Sequence, residues 1–223
     1  MARLARLVVP DAPHHVTQRG NRRERTFFED GDYRFYLDLL AETSAKAGVE
    51  VWAYCLMPNH IHAIMTPSDP DGLRRAFAEL HRRYTRRINA RNQWTGHLWQ
   101  GRFGSAAMDE QHLLAAARYV ALNPVRARLA AKAEDWPWSS VHAHLAGRDD
   151  RIVKVAPVLK RVGDFRTFLG QAFDEGAAYG PLRRSETTGR PLGAKDWVAN
   201  LEQQSGRSLA PGKRGPRLRG GVG

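Results

Sequence analysis

Two histidines separated by a single residue, His60 and His62, lie in an apolar stretch that predicts a β-strand over residues 60–66. Because strand side chains alternate, both imidazoles project to one face of the sheet, about 7 Å apart, while Ile61 projects to the other. Imidazoles at this spacing can bind one divalent ion, and they suit Mn, Zn, Fe, Ni or Cu. The pair therefore indicates a metal site. The structural alternative is two histidines bonded to backbone or carboxylate groups.

Tyr119 and Asn123 lie four residues apart and so share one face of a predicted helix. Asp109 is the predicted N-cap of this helix, which we expect to run to Leu122 because the Asn-Pro sequence that follows disfavours continuation. The phenol is a candidate nucleophile, with amphipathic packing of its ring as the structural alternative. For Asn123 the corresponding alternative is a helix C-cap.

A third feature is an arginine-rich helix predicted from Gly72 to about Asn92, whose apolar residues follow helical spacing. Its arginines lie off the apolar stripe, and Glu79 is the one acid between Leu73 and Arg91. An ordinary solvated face mixes charges of both signs, whereas a phosphate-binding face does not need to. Aromatic residues that could stack on unpaired bases follow at once, with core packing as the alternative. The residues concerned are Arg74, Arg75, Arg82, Arg83, Arg86, Arg87 and Arg91, then Trp94, Trp99 and Phe103.

The composition agrees with a nucleic-acid partner. The 223 residues include 35 Lys and Arg against 23 Asp and Glu, a net charge of +12. This charge favours a polyanionic binding partner, with nucleic acid as the first candidate and an anionic membrane surface as the second. Cys55 is the single cysteine, so no intrachain disulfide can form, and neither a signal peptide nor an apolar span is recognisable. We expect a cytoplasmic protein, in the bacterial cytosol or nucleoid, with no membrane association.

The elements needed to position these residues follow the order β-α-β-β-α-β-α. The stretch 51–56 is apolar on both parities, which predicts a strand in the middle of the sheet with both faces covered. We expect an α+β fold, a ferredoxin- or RRM-like sandwich with helices packed on one face of an antiparallel sheet. The remaining predicted elements are a strand at 14–19, a helix capped by Asp30 or Asp32 and closed by Gly48, and a strand at 103–108.

Together these residues resemble a known family, the REP-associated tyrosine transposases, which belong to the single-tyrosine branch of the HUH nucleases. The resemblance covers about residues 3–145 and rests on five motifs in order. His14 and His112 depart from the family pattern, outside the metal and nucleophile positions. The motifs are H-V-T-Q-R-G-N-R-R (15–23), Y-C-L-M-P-N-H-I-H (54–62), L-W-Q-G-R-F (98–103), R-Y-V-A-L-N-P-V-R-A (118–127) and D-W-P-W-S-S (135–140).

The resemblance implies a chemistry for each position. His60 and His62 would bind a divalent metal ion, Mg or Mn, with Asn123 as a third, polar ligand. Tyr119 would cut single-stranded DNA beside a palindromic, REP-like hairpin and form a 5′-phosphotyrosine, in transposition or REP-element processing. A homodimer is an open expectation. The expected DNA-binding residues are Arg19, Arg22, Arg23, Arg74, Arg75, Arg82, Arg83, Arg86, Arg87, Trp99 and Arg102.

Three parts of the chain are expected. Residues 1–146 form the HUH-like catalytic domain, 147–204 an extension without assigned chemistry, and 205–223 a basic flexible tail. Within the extension we expect an amphipathic piece from Val162 to Phe173, a loop from Gly180 to Gly193 and a helix from Lys195 to Gln203.

Three other functions compete with this interpretation. A domesticated DNA-hairpin-binding regulator would have idle catalytic residues, but both histidines and Tyr119 are retained. A sheet-based RNA-binding module would need an aromatic strand motif that the sequence lacks. A hydrolytic zinc enzyme would need a third strong ligand, and none is recognisable near the histidine pair.

Overall fold

The computed structural model describes residues 6–172 and 174–210. Its centre is a four-stranded antiparallel sheet with the spatial order β2-β3-β1-β4. With one helix between β1 and β2 and another between β3 and β4, this order is ferredoxin-like, so the predicted α+β fold class is confirmed. The strands are β1 (His14–Arg19), β2 (Val49–Met57), β3 (His60–Pro67) and β4 (Gly104–Ala107).

Helices cover both faces of the sheet. Ile61, Ala63 and Met65 of β3 pack in the core beneath α1 and α2, whereas Ile64 packs in a second core with α3 and the extension. The expectation of helices on one face was therefore wrong, because residues beyond β4 supply a second apolar layer. The helices are α1 (Asp30–Lys46), α2 (Gly72–Asn92), α3 (Glu110–Arg126), α4 (Val141–Ala146), α5 (Ala156–Val162), α6 (Phe165–Gly170), α7 (Glu175–Thr188) and α8 (Lys195–Ser205).

Strand β2 lies at an edge of the sheet, not in its middle as predicted. Its outer side is closed by segments from later in the chain. The N–H of Leu56 donates to the carbonyl of Trp138, and the N–H of Ser140 to that of Tyr54. Further along, the N–H of Lys154 donates to the carbonyl of Val51. Non-sheet segments thus bury this edge strand on both faces and along its edge, which explains its continuous apolar sequence.

The N-cap of helix α1 lies one residue before Asp30 and three before Asp32, the two predicted caps. Glu29 is the N-cap, and Asp32 stands at the third helical position, where its carboxylate accepts a hydrogen bond from the Glu29 N–H to complete a capping box. Asp32 is fully buried and forms a salt bridge with Arg91 at 2.7 Å. The same carboxylate therefore starts α1 and joins it to the end of α2.

Helix α3 continues through Pro124 to Arg126 rather than ending at Leu122. A proline lacks only its own N–H, and the N–H of Ala127 donates to the carbonyl of Asn123 at 2.9 Å to close the last turn. Asn123 is therefore inside the helix and not its C-cap. Its side chain leaves α3 one turn after Tyr119.

The extension is more helical than expected. The predicted loop from Gly180 to Gly193 is wrong over its first half, because α7 runs through Gly180 and Pro181 from a cap at Asp174, which accepts from the N–H of Ala177. The stretch 162–173 holds the end of α5 and all of α6, and α8 confirms the predicted helix at 195. Residues 211–223 of the predicted tail lie outside the described residues. In the described part of the chain, no helix is both long and apolar enough to cross a membrane.

Candidate active site

His60 and His62 lie on the α3 face of β3 and line a cavity of about 520 Å³. Their ring centroids are 5.0 Å apart, with the ring planes nearly perpendicular. Burial lowers the pKa of His60 to about 4 and holds the pKa of His62 well below its usual value. Both rings are therefore neutral at pH 7, as metal binding requires.

Asn59 orients His60 and also fixes the rim of the cavity. Its side-chain oxygen accepts a hydrogen bond from His60 Nδ1 at 2.6 Å, which leaves Nε2 of that ring unprotonated. Its side-chain nitrogen donates to the backbone carbonyl of Arg23 at 2.8 Å. Arg22 and Arg23 both have left-handed backbone conformations, with φ of 53° and 64°, which non-glycine residues adopt rarely. One amide thus links the histidine to a strained arginine turn.

His15, on the neighbouring strand β1, supports His62 from the side. The two rings stack with centroids 5.2 Å apart and planes 7° from parallel. His15 Nε2 and His62 Nδ1 share a hydrogen bond of 3.0 Å. A hydrogen-bond partner on the ring nitrogen that does not bind the metal fixes the tautomer and orientation of a metal-binding histidine. The sequence analysis missed His15, although its place in the strand alternation puts it on the face of Thr17 and Arg19.

Tyr119 reaches the histidines from α3. Its ring lies 5.2 Å from that of His62 and meets it edge to face. Its hydroxyl donates to Glu186 over 3.5 Å, and the Arg126 guanidinium stands 4.9 Å from its ring centroid. Burial raises the pKa of Tyr119, while Arg126 opposes that shift. Tyr54, the tyrosine on strand β2 beside the histidine strand, belongs to the core on the opposite face of the sheet and is therefore not available as an alternative nucleophile.

Asn123 is buried on α3, one turn beyond Tyr119. Within the described residues its amide forms no hydrogen bond with either His60 or His62. The structure therefore brings the ring of Tyr119 into contact with those of His62 and His15, and it places Asn123 one turn further along α3.

A carboxylate from the extension, that of Glu186, lies close to His62. His15, His62 and Glu186 each offer one ligand atom, and these atoms all lie within 4.8 Å of one another. The expectation that no strong third ligand stands near the pair was wrong, because α7 brings Glu186 back over α3. The sequence analysis missed Glu186 because the Gly-Pro pair at 180–181 favoured a loop there.

The predicted DNA-binding residues divide into two groups. Arg19, Arg23 and Arg102 line the cavity that holds the histidines. Arg82, Arg86, Arg102 and Trp99 border a second cavity of about 620 Å³ on the far side of the loop at 98–102. Arg102 borders both cavities, so a strand leaving the first could continue into the second.

The rest of the α2 arginine face is less free than its sequence indicated. Arg74 pairs with Asp71, Arg75 with Asp69 and Arg83 with Glu42. Acids from outside α2 thus supply the opposite charges. Arg87 stacks over Phe35, Trp94 is half exposed, and Trp99 is mostly packed among the core aromatics Phe27, Tyr36 and Tyr84.

The donor set suits a divalent ion of the Mg or Mn type. It offers neutral imidazole nitrogens, for which Mn has good affinity, and amide and carboxylate oxygens, which both ions prefer. His60 keeps an unprotonated Nε2 in the cavity because Asn59 occupies its other nitrogen. The residues present therefore fit such an ion.

Comparison with known proteins identifies the family of the chain. The sequence profile of the family described as "Transposase IS200 like" matches residues 9–123. The chain is 22% identical over 126 residues to the REP-associated tyrosine transposase of Escherichia coli (strain K12), covering 56% of this chain and 74% of that protein. It is 30% identical over 104 residues to a putative REP-associated tyrosine transposase of Haemophilus influenzae, covering 42% of this chain and 59% of the relative.

A solved structure of a REP-associated tyrosine transposase bound to a REP hairpin shares the fold, with a TM-score of 0.57 and 22% identity over 70% of this chain and 93% of that one. The chain therefore belongs to the IS200-like transposase family, a family of DNA-processing enzymes. The resemblance to REP-associated tyrosine transposases is confirmed. Family membership, rather than the number of ligands, disfavours the zinc-hydrolase and RNA-module alternatives.

Proposed function

We propose that this protein nicks and rejoins single-stranded DNA beside palindromic, REP-like hairpins, in transposition or REP-element processing, through a covalent bond to Tyr119. The observation that carries the proposal is the contact between the Tyr119 phenol and the neutral His62 imidazole, 5.2 Å apart between ring centroids. A phenol buried next to metal-binding nitrogens is an arrangement suited to nucleophilic attack on a phosphodiester.

A divalent ion, Mg or Mn, would be held by His60 and His62, with Asn123 as a third ligand. When bound, it supplies Lewis-acid neutralisation of the phosphate charge. Arg19 and Arg23 line the same cavity and contribute further positive charge to the phosphate.

In the first step Tyr119 Oη forms a bond to phosphorus, and the bond from phosphorus to the 3′ oxygen breaks. The tyrosine proton is lost and the 3′ oxygen gains one, which leaves a 5′-phosphotyrosine and a free 3′-hydroxyl. Burial raises the pKa of Tyr119 and so opposes loss of that proton. The positive charge of Arg126 beside the ring acts in the other direction and favours proton loss. The 3′-hydroxyl of a second strand reverses the step without ATP, because the phosphodiester energy is retained.

The hairpin substrate is supported by the similar protein that was solved bound to a REP hairpin. It is also supported by the two arginine-bordered cavities that meet at Arg102. Within one chain the ring of Tyr119 lies 5.2 Å from that of His62, which supports cleavage by the nucleophile of the same chain. A homodimer stays a prediction.

The test uses hairpin oligonucleotides taken from inverted repeats that flank the gene, labelled on the 3′ side of the hairpin. After incubation with Mn²⁺, denaturing electrophoresis of the wild type should show a labelled, DNA-shifted protein band. Tyr119→Phe should show none, and Tyr54→Phe, the matched phenol in the opposite core, should keep it. A shifted band that persists in Tyr119→Phe refutes the assignment of Tyr119 as the nucleophile. Tight hairpin binding by the wild type with no adduct in Mn²⁺ or Mg²⁺ favours the regulator alternative.

A further inference from the structure

Helix α7 closes the active-site cavity from the side of the extension. Glu186 and Thr187, near its C-terminal end, line the cavity together with His60 and His62. The helix is held over α3 by the ring of Tyr179, which meets that of Tyr119 edge to face at 5.0 Å. The position of Glu186 is therefore set by packing and not by a free loop.

Glu186 is the one acidic residue of the described chain that lines this cavity; the other charged lining residues are arginines, and the two histidines there are neutral. It forms no ion pair with Lys or Arg within the described residues, and its one hydrogen bond there is the 3.5 Å contact from Tyr119. Burial also raises the pKa of its carboxyl group. The charges of Arg19 and Arg183 offset this shift only in part, and burying a carboxylate is costly unless positive charge compensates it fully.

The geometry supplies that compensation. The ligand atoms of Glu186 and His62 lie within 4.8 Å of each other, a spacing that one ion can bridge after small side-chain adjustments. Mg²⁺ and Mn²⁺ favour carboxylate oxygen over the neutral amide oxygen that Asn123 offers. The donor set is therefore stronger with Glu186 than without it.

We propose that Glu186 is an oxygen ligand of the divalent ion bound at His62, in the cavity that His60 also lines, so that the C-terminal extension completes the metal site. This inference rests on the proposed metal-dependent function and deepens it. Glu186 lies outside the segment that matches the transposase family, which ends at residue 123. The extension is then part of the catalytic unit, and α7 becomes anchored to the histidine strand when the ion binds.

The test measures Mn²⁺ binding to the full chain without DNA, by calorimetric titration and by the loss of the free-Mn²⁺ EPR signal. Glu186→Gln keeps the side-chain volume and an acceptor for Tyr119, and should weaken Mn²⁺ binding at least about 10-fold. Asp196→Asn is the matched control, since it removes the same charge from an exposed position on α8, and it should bind as the wild type does. His62→Ala should lose binding.

Wild-type affinity in Glu186→Gln, with binding lost in His62→Ala, overturns the inference and leaves the proposed function intact. Undiminished binding in His62→Ala overturns the metal site itself. A second measurement covers failure of the Gln variant to fold. In the wild type, bound Mn²⁺ should broaden the amide NMR signals of residues next to Glu186 as strongly as those next to His62. Broadening at His62 alone refutes the role of α7.

Discussion

Replacing His15 by Phe should weaken metal binding without removing a metal ligand. The phenyl ring keeps the stacked volume against His62 but cannot form the 3.0 Å hydrogen bond to His62 Nδ1. A buried donor left without a partner costs about 1–3 kcal/mol of stability. Loss of the hydrogen-bond partner behind a metal-binding histidine reduces metal affinity by about 10- to 100-fold, which is about 1.4 to 2.7 kcal/mol of binding free energy.

The matched control is His14→Phe on the adjacent residue. His14 is also fully buried, but it faces the other side of β1, where it accepts from the N–H of Val9 and donates to the carbonyl of Ala12. It should lose a similar amount of unfolding free energy in urea titration and keep wild-type Mn²⁺ affinity. Equal affinity in His15→Phe and the wild type would refute the orienting role. A loss far beyond 100-fold would make His15 a ligand itself.

Three further outcomes are expected. His62→Ala, or addition of a chelator, should abolish the covalent adduct while hairpin binding in gel-shift titrations changes less than about threefold, because the imidazole serves the ion; loss of hairpin binding would contradict this. In salt titrations, Arg86→Ala with Arg102→Ala should lower the slope of log K by up to about 1.4, at about 0.7 per phosphate contact. Arg74→Ala should hardly change the slope, because this arginine already pairs with an aspartate. A slope change in Arg74→Ala as large as that in the double variant would refute the assignment of phosphate binding to the cavity-bordering arginines rather than to the ion-paired ones. Burial lowers the pKa of His14 to about 4, so below about pH 6.5 the unfolded chain binds a proton that the folded chain does not bind. The free energy of unfolding of the metal-free protein should therefore fall between pH 6.5 and 4, and His14 alone should account for a loss of about 2 kcal/mol at pH 5. In urea unfolding, His14→Phe should show a shallower fall over the same range.

Local patterns were enough to predict much of the fold. The alternation in β3 predicted that His60 and His62 share a face, and the apolar stripe of α2 predicted both of its ends. These features depend on residues close in sequence. The edge position of β2 was not predictable, because an edge strand closed by distant segments has the same apolar sequence as a central one.

In the candidate site, too, the arrangement within one element was predictable from the sequence and the contacts between elements were not. Tyr119 and Asn123 follow from helical spacing, but the contacts of His15 and Glu186 depend on strand register and on the return of the chain over α3. The charge balance of the arginine face depends in part on tertiary packing, since Glu42 approaches α2 from α1, whereas Asp69 and Asp71 lie directly before the first turn of α2. Sequence spacing reveals which side chains share an element, and tertiary packing decides which of them meet.

The closure of the β2 edge by Ser140 also sets an order of events during synthesis. Eighty-six residues separate Tyr54 from Ser140, so at ribosomal rates the edge stays unpaired for roughly 4 to 17 s after β2 emerges. During that time the nascent chain exposes the backbone groups of a nine-residue apolar strand. Another copy made on the same message offers a competing strand, so slow translation beyond residue 57 would increase aggregation, and a chaperone that covers this strand would raise the yield of native protein.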